Sequence, residues 1–184
     1  MDNLWKTLAA TEKYDNPWIN VTEFQVINPA GGEGIYGKVH FKNKAIGIVP
    51  LDHENNTWLV GQWRYVLNEW SWEIPEGGSP LDNDPLDSAK RELKEETGIS
   101  AKHWTLLQRV HLSNSVSDEE GLLYLAEGLV PGEKELEATE ADMKVWKLPF
   151  TEAMQMVLDG KITDSLSVIG ILKVHQFLTE KSQP

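Results

Sequence analysis

The most constraining feature of the sequence is a segment that carries both boundaries of one helix. Asp84 stands before Pro85, so the aspartate can cap the helix and the proline can be its first residue. Asp87, three residues after the cap, is a weaker analogue of a capping box. The helix formers end at Thr97-Gly98, with glycine where a left-handed C-cap is favoured. The pattern predicts a helix over residues 85–97, about 20 Å long.

One face of this helix carries three carboxylates within a single turn. Glu92, Glu95 and Glu96 stand at positions i, i+3 and i+4. Like charges this close disfavour one another unless divalent cations neutralise them. Oxygen ligands suit Mg²⁺ or Mn²⁺, and Mg²⁺ commonly shares its site with substrate phosphates. The alternative is a solvated helix face on which Lys90 and Lys94 pair with the glutamates, but the glycine-rich loop expected before the helix favours a metal site.

Alternating apolar and polar residues predict strands before and after this helix. The predicted strands are 19–27, 35–41, 45–51, 57–63, 70–74, 104–111, 122–127 and 143–148, and two further helices are predicted at 151–158 and 165–178. Residues 1–16 have no clear period and are expected to form a loose arm or a short helix. The order of these elements predicts an α/β sandwich at residues 44–184, with residues 1–43 as a small antiparallel β-hairpin appendage.

Composition and charge exclude several classes of protein. The 184 residues suit one domain with an appendage, and the absence of cysteine excludes disulfides and thiolate catalysis. The net charge of −12 disfavours binding to nucleic acid or to an anionic membrane. No apolar run approaches the roughly 20 residues that span a bilayer, and residues 1–6 lack the features of a signal peptide. We therefore expect a cytoplasmic protein without nucleic-acid or membrane partners.

The segment from Gly77 to Ile99 resembles the signature of the Nudix hydrolase family. That signature has a glycine, five residues, a glutamate, seven residues, and then Arg-Glu-apolar-X-Glu-Glu-X-Gly-apolar. The matching residues here are Gly77, Arg91, Glu92, Leu93, Glu95, Glu96, Gly98 and Ile99. Asn83 departs from the pattern, because the family has a glutamate there that mainly braces the loop and helix through the signature arginine. Asn83 can still hydrogen-bond to Arg91 but cannot supply charge.

The resemblance implies a fold and a reaction. The fold would be the Nudix α/β/α sandwich with a mixed sheet, and the usual reaction is hydrolysis of a nucleoside diphosphate linked to another group. Mg²⁺, with Mn²⁺ as an alternative, would bridge the phosphate oxygens and lower the pKa of a bound water. The resemblance places the metal at Glu92, Glu95 and Glu96 and at the backbone carbonyl of Glu76, and it gives Glu95 and Glu96 catalytic roles.

Two further segments resemble the ADP-ribose/ADP-sugar pyrophosphatase branch of this family. They are Val60-Gly61-Gln62-Trp63-Arg64-Tyr65 and Trp72-Glu73-Ile74-Pro75-Glu76-Gly77. In this resemblance Arg64 contacts the diphosphate of the substrate, a task that suits the two-pronged guanidinium. Glu73 would lie beside the metals or beside Arg64. The alternative is that Arg64 pairs with a surface acid.

Trp18 and Tyr36 are candidates for binding the nucleobase, and both are expected on the two N-terminal strands. Aromatics at matching places in similar ADP-sugar enzymes sandwich the base, partly across a dimer interface formed by the appendage. Stacking a base on an aromatic ring contributes about 1–3 kcal/mol. A core or dimer contact is the alternative for each residue. The resemblance therefore implies a homodimer that forms through residues 1–43.

The catalytic base is expected on the acidic loop before the last strand. Related enzymes have a glutamate on a mobile loop at this point, and Glu140 matches it best, with Glu137 second. The alternative is a solvated acidic loop without a catalytic role. Residues 115–120 correspond to a substrate-binding loop of the branch, where Glu119 is a weaker candidate.

The expected function is Mg²⁺-dependent hydrolysis of the pyrophosphate bond of ADP-ribose or a similar nucleoside diphosphate sugar, which gives a nucleoside monophosphate and a sugar phosphate. Two alternatives stay open. One is a GDP-mannose or other nucleotide-sugar pyrophosphatase. The other is a non-catalytic Nudix-fold sensor of nucleotide sugars, which the replacement at Asn83 favours.

Overall fold

The computed structural model describes residues 1–133 and 142–181. This part of the chain contains ten strands and three helices. They are β1 (Lys6–Asp15), β2 (Ile19–Ile27), β3 (Glu33–Phe41), β4 (Asn43–Leu51), β5 (Asn56–Arg64), β6 (Glu69–Glu73), β7 (Glu76–Pro80), α1 (Pro85–Thr97), β8 (Ile99–His111), β9 (Glu120–Pro131), β10 (Lys144–Pro149), α2 (Phe150–Leu158) and α3 (Ser165–Lys181). None of the helices in these residues is long and apolar enough to cross a membrane.

The three N-terminal strands form an antiparallel sheet in the order β1-β2-β3. The expectation of a loose arm or short helix at residues 1–16 is wrong, because Lys6–Asp15 pairs with β2. All ten residues of β1 are exposed. A strand that is exposed on both faces needs no alternation of apolar and polar residues, so its sequence shows no period. Backbone hydrogen bonds to β2 stabilise it instead.

Two further sheets form the body of the protein. One has the order β7-β4-β9-β8, in which β4 and β9 are parallel and the other pairs are antiparallel. The other sheet is antiparallel and has the order β10-β5-β6. The prediction of a mixed α/β fold with an antiparallel N-terminal sheet is confirmed.

Successive residues of β4 and β9 pack on opposite faces of the four-stranded sheet, as the two-residue period of a strand requires. On one face, Ile46 and Ile48 pack with Leu93 of α1. On the other face, Val49 and Leu125 pack with residues of α2, of α3 and of the β10-β5-β6 sheet. Helices therefore lie on both faces of this sheet. Helix α1 covers one face, and α2 and α3 lie on the other.

Helix α1 begins and ends where the sequence predicts. The Asp84 carboxylate accepts a hydrogen bond from the Leu86 amide at 2.9 Å. Gly98, with a φ of 74°, closes the helix in the left-handed conformation that glycine adopts most easily. Asp87 does not complete a capping box, since its carboxylate accepts a hydrogen bond from Lys90 Nζ at 2.8 Å.

The glycine-rich segment before α1 is a strand rather than the expected loop. Glu76–Pro80 forms β7, the edge strand that pairs antiparallel with β4. Glycine inside a strand often marks a place where another group approaches closely. Here that group is the side chain of Glu92 on α1, which lies against Gly77.

The turn between β4 and β5 is organised by Asp52. Its carboxylate accepts hydrogen bonds from the amides of Glu54 at 2.9 Å and Asn56 at 2.8 Å, and it pairs with Lys147 Nζ at 2.9 Å. Burial raises the pKa of Asp52, but these donors outweigh it and lower the pKa to about 2. Because this value is below the roughly 3.9 of an unfolded chain, the charged carboxylate stabilises the folded state at neutral pH.

We expect Asp52→Asn to lower the free energy of unfolding by about 2 kcal/mol at neutral pH. The difference from the wild type should shrink as the pH falls from about 4 toward about 2, because the wild-type carboxylate then takes up a proton in the folded state as well. Urea unfolding followed by circular dichroism measures both quantities. An equal loss at neutral and acid pH would show that the charge of Asp52 is not the source of the stabilisation.

Candidate active site

Strand β7 and helix α1 bring the signature residues into contact. The Glu76 amide donates a hydrogen bond to Glu96 Oε2 at 3.0 Å. Glu92 and Glu96, one helical turn apart, are 6% and 1% exposed. A Cβ on Gly77 would lie 2.2 Å from the carboxyl carbon of Glu92. Gly77 is therefore required for the close approach of β7 to Glu92, and not for a turn.

Arg91 connects this helix face to β7. Its guanidinium donates hydrogen bonds to the carbonyl oxygen of Gly78 at 3.0 Å, to Glu95 Oε2 at 2.5 Å and to Glu92. Burial lowers the pKa of Arg91, but the two carboxylates raise it above its ordinary value. In the part of the chain that the structure describes, Asn83 makes no hydrogen bond to Arg91. The signature arginine is thus held by β7 and two glutamates, without a contribution from residue 83.

Arg64, at the end of β5, is held by two glutamates. Its Nε donates to Glu73 Oε1 at 2.9 Å and to Oε2 at 3.1 Å, and its Nη2 donates to Glu73 and to Glu76 Oε1 at 2.6 Å. Burial lowers the pKa of Arg64, but Glu73 and Glu76 raise it well above its usual range. Glu73 thus lies beside Arg64, one of the two positions expected for it. The acids that Arg64 pairs with are largely buried, so the alternative of a surface pair does not describe this contact.

Two open cavities meet at Arg64, Glu76 and Asp164, the residue before α3. The larger, of about 670 Å³, extends to the exposed hairpin tip at residues 65–67. The smaller, of about 470 Å³, extends along β7 to Glu119. Together they form a cleft that can take a ligand with one arm on each side of Arg64.

Asp164 is a residue of this cleft that the sequence analysis does not identify. Its Oδ2 accepts a hydrogen bond from the Ser167 amide at 2.7 Å, which caps the start of α3. The available signal was an aspartate directly before the predicted helix at Ser165. That signal predicts a cap, but nothing in the sequence indicates that the capping carboxylate also faces Arg64 and Glu76.

The cleft has more carboxylates than its arginine can neutralise. Burial, and then the nearby charges of Asp164 and Glu73, raise the pKa of Glu76 well above its usual range. Glu76 Oε2 is buried and has no hydrogen-bond partner among the described residues. Arg64 is shared between Glu73 and Glu76, and Asp164 has no ion pair within the same part of the chain. This imbalance favours the binding of a cation.

The predicted metal ligands supply oxygen donors of the type that Mg²⁺ and Mn²⁺ prefer. The carboxylates have different partners, since Glu92 and Glu95 bind Arg91 while Glu96 accepts the Glu76 amide. In residues 1–133 and 142–181, no group of three or more His, Cys, Asp or Glu side chains is arranged to hold a metal ion. The assignments of Glu92, Glu95, Glu96 and the Glu76 carbonyl therefore stay predictions.

The two candidate base-stacking residues are far apart in one chain. Trp18 lies in the turn between β1 and β2 rather than on a strand, because Asn16 accepts hydrogen bonds from the Trp18 and Ile19 amides and closes the turn there. Tyr36 lies on β3, and its hydroxyl donates to the Ser115 carbonyl oxygen at 2.7 Å. Ile19, next to Trp18, and Phe24, the partner of Tyr36, are five steps apart along β2, so about 17 Å of strand separates these backbone positions. One chain does not bring Trp18 and Tyr36 together.

Of the remaining candidate residues, the structure describes Glu119 but not Glu137 or Glu140. Glu140 and Glu137, the candidates for the catalytic base, lie outside the described residues. Glu119 lines the smaller cavity, where burial and then the charge of Asp164 raise its pKa.

The comparison with known families identifies the larger part of the chain. Residues 42–165 match the family described as NUDIX domain. The chain belongs to the Nudix family. Residues 5–39 match a second family, the nucleoside diphosphate sugar hydrolase N-terminal domain. The family predicted from the sequence is confirmed, and with it the prediction of a Nudix hydrolase.

Relatives of this Nudix protein include two bacterial hydrolases. The ADP-ribose pyrophosphatase of Mycobacterium tuberculosis is 37% identical over 163 residues, which cover 87% of this chain and 78% of that protein. The CMP-5'-(N-acetyl-N-hydroxy-3-aminopropyl)phosphonate hydrolase of Streptomyces rubellomurinus is 30% identical over 173 residues, which cover 93% and 82%. A solved structure of an ADP compounds hydrolase matches with a TM-score of 0.87 over 99% of this chain and 98% of that one. At 17% identity, this last likeness shows the fold alone.

In this Nudix protein, we expect Gly77→Ala to abolish most of the hydrolytic activity while the protein stays folded. The atoms nearest to the added methyl group would be the carboxyl carbon and oxygens of Glu92, so we expect the end of this flexible side chain to move. Activity should fall by about a hundredfold or more, as expected when a group that stabilises the transition state is misplaced.

Gly78→Ala is the matched control for this variant. Its added Cβ would lie 3.4 Å from Asn43 Nδ2, an ordinary contact, so the loss of activity should be much smaller. Steady-state kinetics and thermal unfolding of both variants measure the difference. Equal activities in two folded variants would show that the approach of β7 to Glu92 is not required.

Proposed function

We propose that the protein hydrolyses the pyrophosphate bond of ADP-ribose or a similar nucleoside diphosphate sugar with the help of Mg²⁺, and releases a nucleoside monophosphate and a sugar phosphate. The observation that carries the proposal is the contact of two buried helix glutamates with β7, beside a cleft that contains Arg64. The 37% identity to an ADP-ribose pyrophosphatase and the match of residues 5–39 support the substrate class.

The chemistry of the donors fits a divalent cation. The absence of a side chain at Gly77 leaves room for the Glu92 carboxylate beside β7, and Glu76 Oε2 is buried without a hydrogen-bond partner among the described residues. Glu92, Glu95, Glu96 and the backbone carbonyl of Glu76 would hold Mg²⁺, with Mn²⁺ as an alternative. When bound, such a cation offsets charge on the phosphate oxygens and lowers the pKa of a bound water.

Arg64 would bind the diphosphate. Glu73 and Glu76 occupy its Nε and Nη2 atoms, and its Nη1 has no hydrogen bond to any residue that the structure describes. The side chain is 36% exposed and lines both cavities, so we expect Nη1 to be the atom that meets the phosphates. A guanidinium that is held before the substrate binds loses less conformational entropy on binding, which favours a fixed orientation of the phosphates.

We assign the proton-abstracting role to Glu140, with Glu137 as the second candidate, on the resemblance to related enzymes. Glu95 and Glu96 would contribute to catalysis from the same helix, by holding the metal ion near the reacting phosphate.

A cytoplasmic location and the division of the chain at residue 43 also stay predictions.

The nucleobase would be bound by aromatics from two copies of the chain. About 17 Å of strand separates the backbone positions at Trp18 and Tyr36, which is much more than the thickness of a base, so we do not expect one copy to present both rings to the same base. A homodimer that forms through residues 1–43 removes this difficulty, because Trp18 of one copy can face Tyr36 of the other. Both residues are exposed, at 66% and 39%, and the Tyr36 ring also packs edge-on against Trp5 within the same chain.

A Nudix-fold sensor without hydrolytic activity is the second candidate, and Asn83 is the residue that favours it. The hydrogen bonds of Arg91 weaken this alternative, because Gly78, Glu92 and Glu95 hold the arginine without residue 83. A pyrophosphatase specific for GDP-mannose or another nucleotide sugar would use the same phosphate site, and only the base and sugar contacts would differ.

The first test is a substrate panel. Purified protein is incubated with MgCl₂ and, separately, ADP-ribose, ADP-glucose, GDP-mannose and UDP-glucose, and the released monophosphate is measured with and without EDTA. We expect AMP from ADP-ribose that disappears with EDTA. Preferential GMP release would move the substrate to GDP-mannose, and binding of one compound without hydrolysis of any would favour the sensor.

We expect Glu96→Gln to reduce hydrolysis by at least about a hundredfold, because the amide cannot supply a charged metal ligand. The fold should survive, since the glutamine oxygen can still accept the Glu76 amide. Asp87→Asn is the matched control on the same helix, where the carboxylate is exposed and pairs with Lys90. Near-native turnover of the Glu96 variant would show that the metal assignment is wrong.

A further inference from the structure

The loop between β8 and β9 is bound to the N-terminal sheet by backbone hydrogen bonds. The Val39 amide of β3 donates to the Val116 carbonyl oxygen at 2.8 Å, and the Asp118 amide donates back to the Val39 carbonyl oxygen at 3.2 Å. The Leu112 amide closes the base of the loop onto the Glu119 carbonyl oxygen at 3.0 Å. The loop therefore continues the pairing of β3 and links the N-terminal sheet to the cleft.

The Asp118 carboxylate fixes this loop to three groups of β3. Its Oδ2 accepts from Lys38 Nζ at 3.0 Å and lies 2.8 Å from His40 Nδ1, while its Oδ1 accepts from the Phe41 amide at 3.1 Å. Burial raises the pKa of Asp118, but His40, Lys38 and the Phe41 amide outweigh it and lower the pKa below its ordinary value. Charge-assisted bonds of this kind are stronger than neutral ones, so the carboxylate is a firm attachment point.

The next two residues have different surroundings from Asp118. Glu120 is paired with Arg109 and lies 3.8 Å from Lys44 Nζ. Glu119, between the two anchored acids, lines the smaller cavity together with Arg64. Its carboxylate has no hydrogen bond or ion pair to any residue that the structure describes, while its carbonyl oxygen accepts from the Leu112 amide. Its two neighbours therefore hold the backbone in the orientation that keeps the Glu119 carboxylate at the cleft.

We propose that Asp118 is a positioning residue, which attaches the β8–β9 loop to β3 and thereby holds the Glu119 carboxylate in the cleft. This inference rests on the proposed function, in which the cleft binds a nucleoside diphosphate sugar. A carboxylate repels the phosphates and accepts hydrogen bonds from hydroxyl groups, so Glu119 would bind the sugar rather than the diphosphate. Asp118 itself touches β3 and not the substrate.

Asp118→Ala removes the attachment, and Asp159→Ala is its matched control. Asp159 is a surface carboxylate outside the cleft that pairs with Lys161 at 3.1 Å, so the control also removes one acid and one ion pair. We expect Asp118→Ala to raise the KM for the nucleotide sugar about tenfold with a change in kcat below about threefold, because ground-state contacts to the sugar are weakened. Asp159→Ala should leave both constants unchanged.

Asp118→Asn separates positioning from loss of the fold. Asparagine keeps an oxygen for the Phe41 amide but loses the charge that binds Lys38 and His40, so its KM should lie between the wild type and Asp118→Ala. If Asp118→Ala fails to fold, this variant decides the proposal. A wild-type KM in a folded Asp118 variant would overturn it.

A double-mutant cycle tests whether Asp118 acts through Glu119. If it does, Asp118→Ala should change KM by less than about twofold in a Glu119→Ala background, because the group that it positions is then absent. A full tenfold effect in that background would overturn the proposal.

Hydrogen exchange distinguishes a failure of this inference from a failure of the proposed function. The amides of Val39 and Leu112 should exchange faster in Asp118→Ala than in the wild type, whatever the substrate is. If the wild type hydrolyses none of the four nucleotide sugars, the proposed function fails and exchange still measures the attachment. Unchanged exchange at both amides would overturn the attachment itself.

Discussion

The close packing of β7 against α1 is the contact on which the site depends. Gly77 lies against the Glu92 carboxylate and the Glu76 amide binds Glu96, so an edge strand and a helix are joined through two buried acids. Buried carboxylates are unfavourable unless hydrogen bonds or opposite charges compensate them. A backbone amide and the Arg91 guanidinium provide part of this compensation. A divalent cation bound at this contact would compensate the two acids further.

The second constraint is the sharing of one guanidinium between two acids. Arg64 remains charged at any pH at which the protein folds, because Glu73 and Glu76 raise its pKa further. The chain as a whole carries a charge of −12, which opposes the approach of an anionic substrate. Such repulsion between exposed charges is screened over about 10 Å at moderate salt, whereas the contacts of Arg64 inside the cleft are direct. The position of the Arg64 guanidinium in the cleft therefore affects the binding of an anionic substrate more than the net charge of the chain does.

Local signals predicted those parts of the fold that depend on short stretches of sequence. The bounds of α1 follow from Asp84, Pro85 and Gly98, and β2 follows from its alternating residues. Strand β7 was missed because its glycines are explained by Glu92, which lies fifteen residues after Gly77 in the sequence and meets it only in the folded chain. The same limit applies to the site. The spacing of the glutamates predicted a helix that binds a metal ion. No local signal in the sequence indicates that Asp164 lies near Arg64, or that Asp118 contacts β3.

The N-terminal sheet is the part of the structure that is least able to stand alone. Of residues 6–41, all of which the structure describes, Val26 alone is buried, so this sheet has almost no core of its own. A three-stranded sheet needs an apolar face packed against something to be stable. The β8–β9 loop covers the β3 edge, while β1 remains an open edge and Leu8, Tyr14 and Ile35 remain exposed. Open edges and exposed apolar residues are both typical of surfaces that bind another chain. The proposed pairing of Trp18 with Tyr36 across two copies would also cover part of this sheet, so the same homodimer would serve both base binding and the stability of the sheet.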